Sequence, residues 1–154
     1  MNRRAPLITA ALATTAALAL GACGSKGDDA AKPVSAQQVK TALSAELHAA
    51  IKAATPKAVH PKDEFGTATA GSGCSGTRLT VRIAGWDPDE AQSNEELLTK
   101  STAYLEKRGW KIHPLPTDSE DQAARIDKAG YAEGLLDASN QSLTFAGNTA
   151  CLGT

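Results

Sequence analysis

The sequence predicts an α+β domain: a mostly antiparallel sheet of about four to five strands with two helices on one face, behind an export signal and a flexible tether. Three observations carry that prediction. Val39, Leu43, Leu47 and Ile51 recur at every fourth residue, the spacing of a helix that buries one stripe. Leu79, Val81 and Ile83 alternate with Arg78, Thr80 and Arg82, the period of a strand with one buried face. Beyond Asp121, short runs are punctuated by Gly130 and Asn140, as in a meander of strands joined by tight turns. A chain of 154 residues, 42% hydrophobic and 21% charged, has room for one such domain. Its formal net charge of −1 gives no cationic excess to neutralise phosphates, so nucleic acid is not an expected partner.

The first element is residues 1–22. Arg3 and Arg4 precede an uncharged run from Leu7 to Leu20, the form of an export signal. As a helix that run extends about 21 Å, short of the roughly 30 Å of a bilayer core. Arg3-Arg4 leaves a twin-arginine route open beside ordinary export, although Asn2 and Ala5-Pro6 stand where that signal carries other residues. The run ends in Leu20-Gly21-Ala22-Cys23, which resembles the bacterial lipobox: an aliphatic residue, two small residues and an obligatory cysteine. The resemblance implies a thioether-linked diacylglycerol on Cys23 and cleavage after Ala22. Thiolate chemistry explains why the acceptor is cysteine. Two acyl chains give stable anchoring where one is marginal. Cleavage removes Arg3 and Arg4 and makes the remaining chain more acidic, so attachment to a membrane rests on lipid rather than on basic residues.

Residues 23–34 form the tether. Gly24 to Pro33 is small and polar with nothing to bury, and about ten such residues reach roughly 17 Å. The domain occupies 35–154. Ser35 with Gln38 makes a capping box, the apolar stripe runs to about Ala54, and Thr55-Pro56 ends the helix. Its polar face mixes Lys40, Glu46, His48 and Lys52, which fits packing on a sheet rather than lying on a membrane. Phe65, Thr67 and Thr69 mark a strand joined to the alternating 78–84 strand through Gly71-Ser72-Gly73-Cys74-Ser75-Gly76.

The second helix has two candidate starts, Asp87-Pro88-Asp89-Glu90 and Ser93-Asn94-Glu95-Glu96. Leu97, Leu98, Ser101, Tyr104 and Leu105 share its inner face. Gly109 ends it, with Trp110 placed to touch Leu105 in a Schellman ending. A strand follows at once, Trp110 and Ile112 inward, Lys111 and His113 outward. Pro114 to Asp121 reads as an acidic, proline-bearing loop, and strands follow at about 122–128, 130–137 and 142–149. The sheet face away from the helices, with Arg78, Arg82, Lys111 and Arg125, is expected to face water.

Three cysteines are an odd number for an exported protein. With Cys23 assigned to lipid, Cys74 and Cys151 remain outside the cytoplasm, where disulfides persist, and their pairing is the expectation. A reactive Cys74 with a histidine partner is the competing reading, and it would leave Cys151 idle. Gly71, Gly73 and Gly76 match G-x-G-x-x-G, but a strand follows where a dinucleotide site needs a helix. Asp87, Asp89 and Glu90 lack the pattern of a calcium loop and read as capping residues. His48, His60 and His113 show no zinc spacing. No G-x-S-x-G is present, and Trp86, Tyr104, Trp110 and Tyr131 read as core residues or element ends. No catalytic, cofactor-binding or metal-ligating residue is therefore singled out, and no cofactor is expected.

The lipobox, the Gly-Cys segment at 71–76, Glu106 to Ile112 and the terminal run 149–154 together resemble small actinobacterial lipoproteins of unknown function. That resemblance implies a lipid-anchored protein on the extracytoplasmic face of the cell membrane, without enzymatic residues to transfer. The expected function is a binding or interaction module for an envelope protein or small ligand. An envelope-acting enzyme and a purely structural envelope protein are the alternatives. A deep pocket of ionisable groups would favour the enzyme, and an open polar sheet face the interaction module.

Overall fold

A computed structural model describes residues 35–68, 74, 76–89, 91–116 and 121–152. The proposed signal, Cys23 and the tether lie outside the described residues. The element order is α1 (Ala36–Ala54), β1 (Glu64–Ala68), β2 (Arg78–Trp86), α2 (Asn94–Glu106), β3 (Lys111–Pro114), β4 (Gln122–Lys128), β5 (Ala132–Ser139) and β6 (Ser142–Thr149).

α1 begins where the sequence predicts. Ser35 Oγ accepts from Gln38 N–H at 3.2 Å and Gln38 Oε1 accepts from Ser35 N–H at 2.9 Å, so two otherwise orphaned donors are satisfied. Val39, Leu43, Leu47 and Ile51 are buried along one stripe, with Ala50 and Ala54 beside them. Of the two candidate starts for α2, Ser93 is the one used: its side chain accepts from Glu96 N–H, and Glu96 returns the bond to Ser93 N–H. Asp87 serves a turn instead. Its buried carboxylate accepts from Asp89 N–H at 3.1 Å and Ala91 N–H at 3.2 Å, so it holds the β2–α2 connection and not the helix end. α2 closes as a Schellman motif: Trp110 N–H donates to Leu105 O and Gly109 N–H to Glu106 O. Gly109 adopts φ +84°, a conformation that glycine enters without a Cβ penalty.

The sheet has six strands rather than the four to five expected, in the order β1-β2-β6-β5-β4-β3, with every neighbouring pair antiparallel. All six correspond to runs that read as strands in the sequence, and the two edges are the least marked of them. β1 and β3 are short, and each offers little apolar patterning, chiefly Phe65 in one and Ile112 in the other. β5 lies two residues later than predicted because Gly130, at φ +70°, and Tyr131 form the preceding turn. Asn140 and Gln141, at φ 47° and 53°, make the two-residue β5–β6 turn, whose paired positive φ values suit the twist of a hairpin.

The topology joins two local units. β1 and β2 form one hairpin, and β3 to β6 form a meander whose last strand returns to pair with β2 from Thr80↔Asn148 to Trp86↔Ser142. This β2–β6 seam is non-local, and Cys74–Cys151 lies just past its end, with Cα atoms 5.6 Å apart. Between the seam and the disulfide, Thr77 and Leu152 exchange two backbone hydrogen bonds. The disulfide thus staples the junction on which closure of the sheet depends.

Both helices cover one face. Leu43, Leu47 and Ile51 of α1 and Leu97 and Leu105 of α2 share a core with Leu79, Val81 and Ile83 of β2, Ile126 of β4, Leu136 of β5 and Leu143 and Phe145 of β6. Phe145 is fully buried, and Trp110 meets it edge-on at 6.2 Å. Burying each large apolar side chain contributes about 1.5–3 kcal/mol. Gly134 and Gly147 are cross-strand partners on this inner face, and the Phe145 ring occupies the space that side chains there would fill.

Candidate functional site

Among the described residues, no helix lies on the opposite sheet face. Alternation places side chains on it in transverse rows, because registered partners point to the same side. One row runs Glu64, Arg82, Ala146, Leu135, Arg125 and His113. The next runs Gly66, Thr80, Asn148, Glu133, Asp127 and Lys111. All four cations assigned to this face from the sequence, Arg78, Arg82, Lys111 and Arg125, are on it.

A broad open trough of about 1060 Å³ lies over β4, β5 and β6, between Arg78, His113, Leu115, Arg125, Glu133 and Leu135. Its charges are mostly paired. Arg78 Nη2 donates to Glu133 Oε1 at 3.0 Å, and Arg78 Nε donates to Thr149 O. His113 Nε2 and Asp127 Oδ1 are 3.0 Å apart. At the turn end, Lys128 Nζ donates to Glu46 Oε1 of α1 at 2.9 Å and sits 5.1 Å from the centre of the Tyr131 ring. Burial pushes the Tyr131 phenol up to about 12, and the Glu46 charge adds to the shift. Arg125 differs: it is exposed, and among the described residues it has no carboxylate partner.

The apolar part of the trough was not singled out from the sequence. Leu115 and Leu135 are each 39% exposed. Leu115 N–H donates to Ala123 O, which extends the β3–β4 ladder and sets Leu115 on the same side as His113. Leu135 is directly across from Arg125. A signal for Leu135 exists in the sequence: in Leu135-Leu136 a half-buried strand must turn one of two adjacent leucines outward, and Leu136 is the buried one. Leu115 stands between prolines in a segment that reads as loop.

The remaining sequence candidates fall elsewhere. Cys74 and Cys151 pair as expected. Cys23, Gly71 and Gly73 are outside the described residues, and Gly76 leads into β2 rather than a helix. Asp89 makes an exposed ion pair with Lys57 at 2.8 Å. His48 and His60, distant in sequence, stack with ring centroids 4.3 Å apart on the helix side, and His48 Nε2 meets Asp63 Oδ1 at 2.8 Å. No group of three or more such residues that would hold a metal ion is found among the described residues. Of the four aromatics, Trp110 is buried, Tyr104 and Tyr131 are half-buried, and Trp86 is exposed at the far end of the free face. No helix among the described residues is long and apolar enough to cross a membrane. Comparison with known proteins finds no matching family model, no similar curated protein and no similar solved structure.

Proposed function

We propose that this chain is a membrane lipoprotein, anchored through a diacylglyceryl group on Cys23 on the extracytoplasmic side, whose domain is a binding module. The observation that carries the binding reading is the helix-free sheet face with its trough. This surface is wide, and its ion pairs fix much of its polar detail before any ligand arrives. Two exposed leucines give it apolar contact area. The anchor reading draws on Leu20-Gly21-Ala22-Cys23 and on the disulfide: Cys74 and Cys151 are joined to each other, which leaves Cys23 as the unpaired cysteine, and a disulfide accords with an oxidising compartment. The acidic balance left after loss of Arg3 and Arg4 accords with a lipid anchor rather than electrostatic attachment.

The test places a photo-crosslinking residue in the full-length chain in its native membrane, at Leu135 or Thr144 on the free face and at Ala45 or Ala103 on exposed helix positions. Adducts of defined mass from the first pair and none from the second are expected. Adducts only from the helix positions, or none at all, contradict the reading.

A further inference from the structure

The trough has one unusual charge. Two of its cations are held by carboxylates, Arg78 by Glu133 and Lys128 by Glu46, and His113 lies against Asp127, whereas Arg125 has no carboxylate partner among the described residues. Toward the start of β4 it has apolar neighbours, whereas His113 stands directly across on β3 and Asp127 is the next residue of β4 on this face. Leu135 lies directly across β5, Leu115 lies diagonally across β3, and Ala123 is the preceding residue of β4 on this face. A guanidinium with leucines beside it is complementary to a carboxylate borne on an aliphatic group, and its planar fork donates two parallel hydrogen bonds to such a carboxylate.

Two further features narrow the ligand. Asp127, Glu133 and Asp137 stand on the same face close to Arg125, so a polyanion meets several times the repulsion that a single negative charge does. Asn148, Glu133 and Asp127, on the other side of Arg125 from Leu115, offer acceptors, which suits a body carrying N–H donors better than a bare acyl chain. Resting on the binding-module reading, we propose that the patch around Arg125 binds the carboxyl terminus of a peptide ending in an aliphatic residue, with the terminal carboxylate on Arg125 and the last side chain between Leu115 and Leu135.

The experiment uses the full-length chain in zwitterionic nanodiscs, with empty nanodiscs as the blank. The probe is a fluorescein-labelled pentapeptide, Gly-Ala-Gly-Val-Leu, with a free carboxyl terminus, read by anisotropy. Saturable binding is expected, weakened about tenfold or more both by amidation of the peptide and by Arg125→Met, the size of a lost charge-assisted hydrogen bond. Arg125→Met keeps the aliphatic stem and removes no side-chain bond seen among the described residues, so its unfolding midpoint should match the parent chain. Leu135→Ser should weaken both peptide forms. Equal binding of the amide, equal binding to Arg125→Met, or no saturable binding overturns the inference. Displacement by octanoate at lower concentration than by unlabelled peptide also overturns it, in favour of a lipid ligand. Free-face crosslinks that persist alongside any of these outcomes leave the binding module standing without its carboxylate preference. Loss of the crosslinks as well removes both.

Discussion

Gly147→Ala is the sharpest steric test of the sheet. A Cβ at Gly147 would lie 2.2 Å from Glu133 O, 2.7 Å from Gly134 Cα and 2.8 Å from Phe145 Cζ. The first two are backbone atoms of β5 and cannot rotate away, and the third belongs to a fully buried ring. Accommodating the methyl group requires spreading β5 from β6 or moving Phe145 against Trp110. Overpacking a filled core costs typically 1–3 kcal/mol, and two backbone contacts put this site at the upper end, about 3 kcal/mol. Gly109→Ala is the control. Nothing lies within 4 Å of a Cβ there, and φ is +84°, so the penalty is that of a left-handed residue alone, about 1 kcal/mol. With a urea m-value of about 2 kcal/mol/M, the midpoints should fall by roughly 1.5 M and 0.5 M respectively. The assay is urea unfolding of the full-length chain followed by tryptophan emission. A loss at Gly147→Ala no larger than at Gly109→Ala refutes the paired-glycine account of the inner face.

Three further predictions concern other parts of the fold. Cys74→Ser with Cys151→Ser opens a crosslink spanning 77 residues; the chain-entropy model gives a loss of up to about 4.5 kcal/mol. Hydrogen exchange should show Thr77 and Leu152 losing protection before the amides of the β2–β6 seam, and a loss below about 1 kcal/mol would contradict the stapling role. Gln141→Gly relieves a non-glycine residue at φ 53° while keeping its backbone bonds to Asp87 and Asn94, so it should stabilise by up to about 1 kcal/mol; a decrease would show that the turn is unstrained. Tyr131 is raised in the folded chain to about 12 from an unfolded value of about 10. Its contribution is therefore complete below about pH 10 and is lost between about pH 10 and 12 as the unfolded chain ionises first. Tyr131→Phe should flatten that alkaline limb, and an unchanged limb would contradict the shift.

Legibility from the sequence followed the range of the forces involved. Ser35, Ser93, Gly109 and Asn140 act within one turn, and the sequence locates each of them. The competing start at Asp87 failed because its carboxylate turns back to Asp89 and Ala91, a local hydrogen bond with the same sequence signature as a helix cap. The strand order depends on β6 returning to β2, a pairing no local pattern encodes, and Phe65 and Ile112 mark β1 and β3 as strands without showing that they form the sheet's edges. At the site, the four cations were legible from alternation. The ion pairing that leaves Arg125 without a carboxylate among the described residues, and the emergence of Leu115 beside it, depend on the cross-strand register of β3, β4 and β5.

The most direct measurement is the intact mass of the chain recovered from its native membrane, before and after reduction. The account predicts a chain beginning at Cys23 and carrying a diacylglyceryl group, which gains two hydrogens on reduction as Cys74 and Cys151 separate. A chain that retains residues 1–22, an unmodified Cys23, or a mass unchanged by reduction would contradict it.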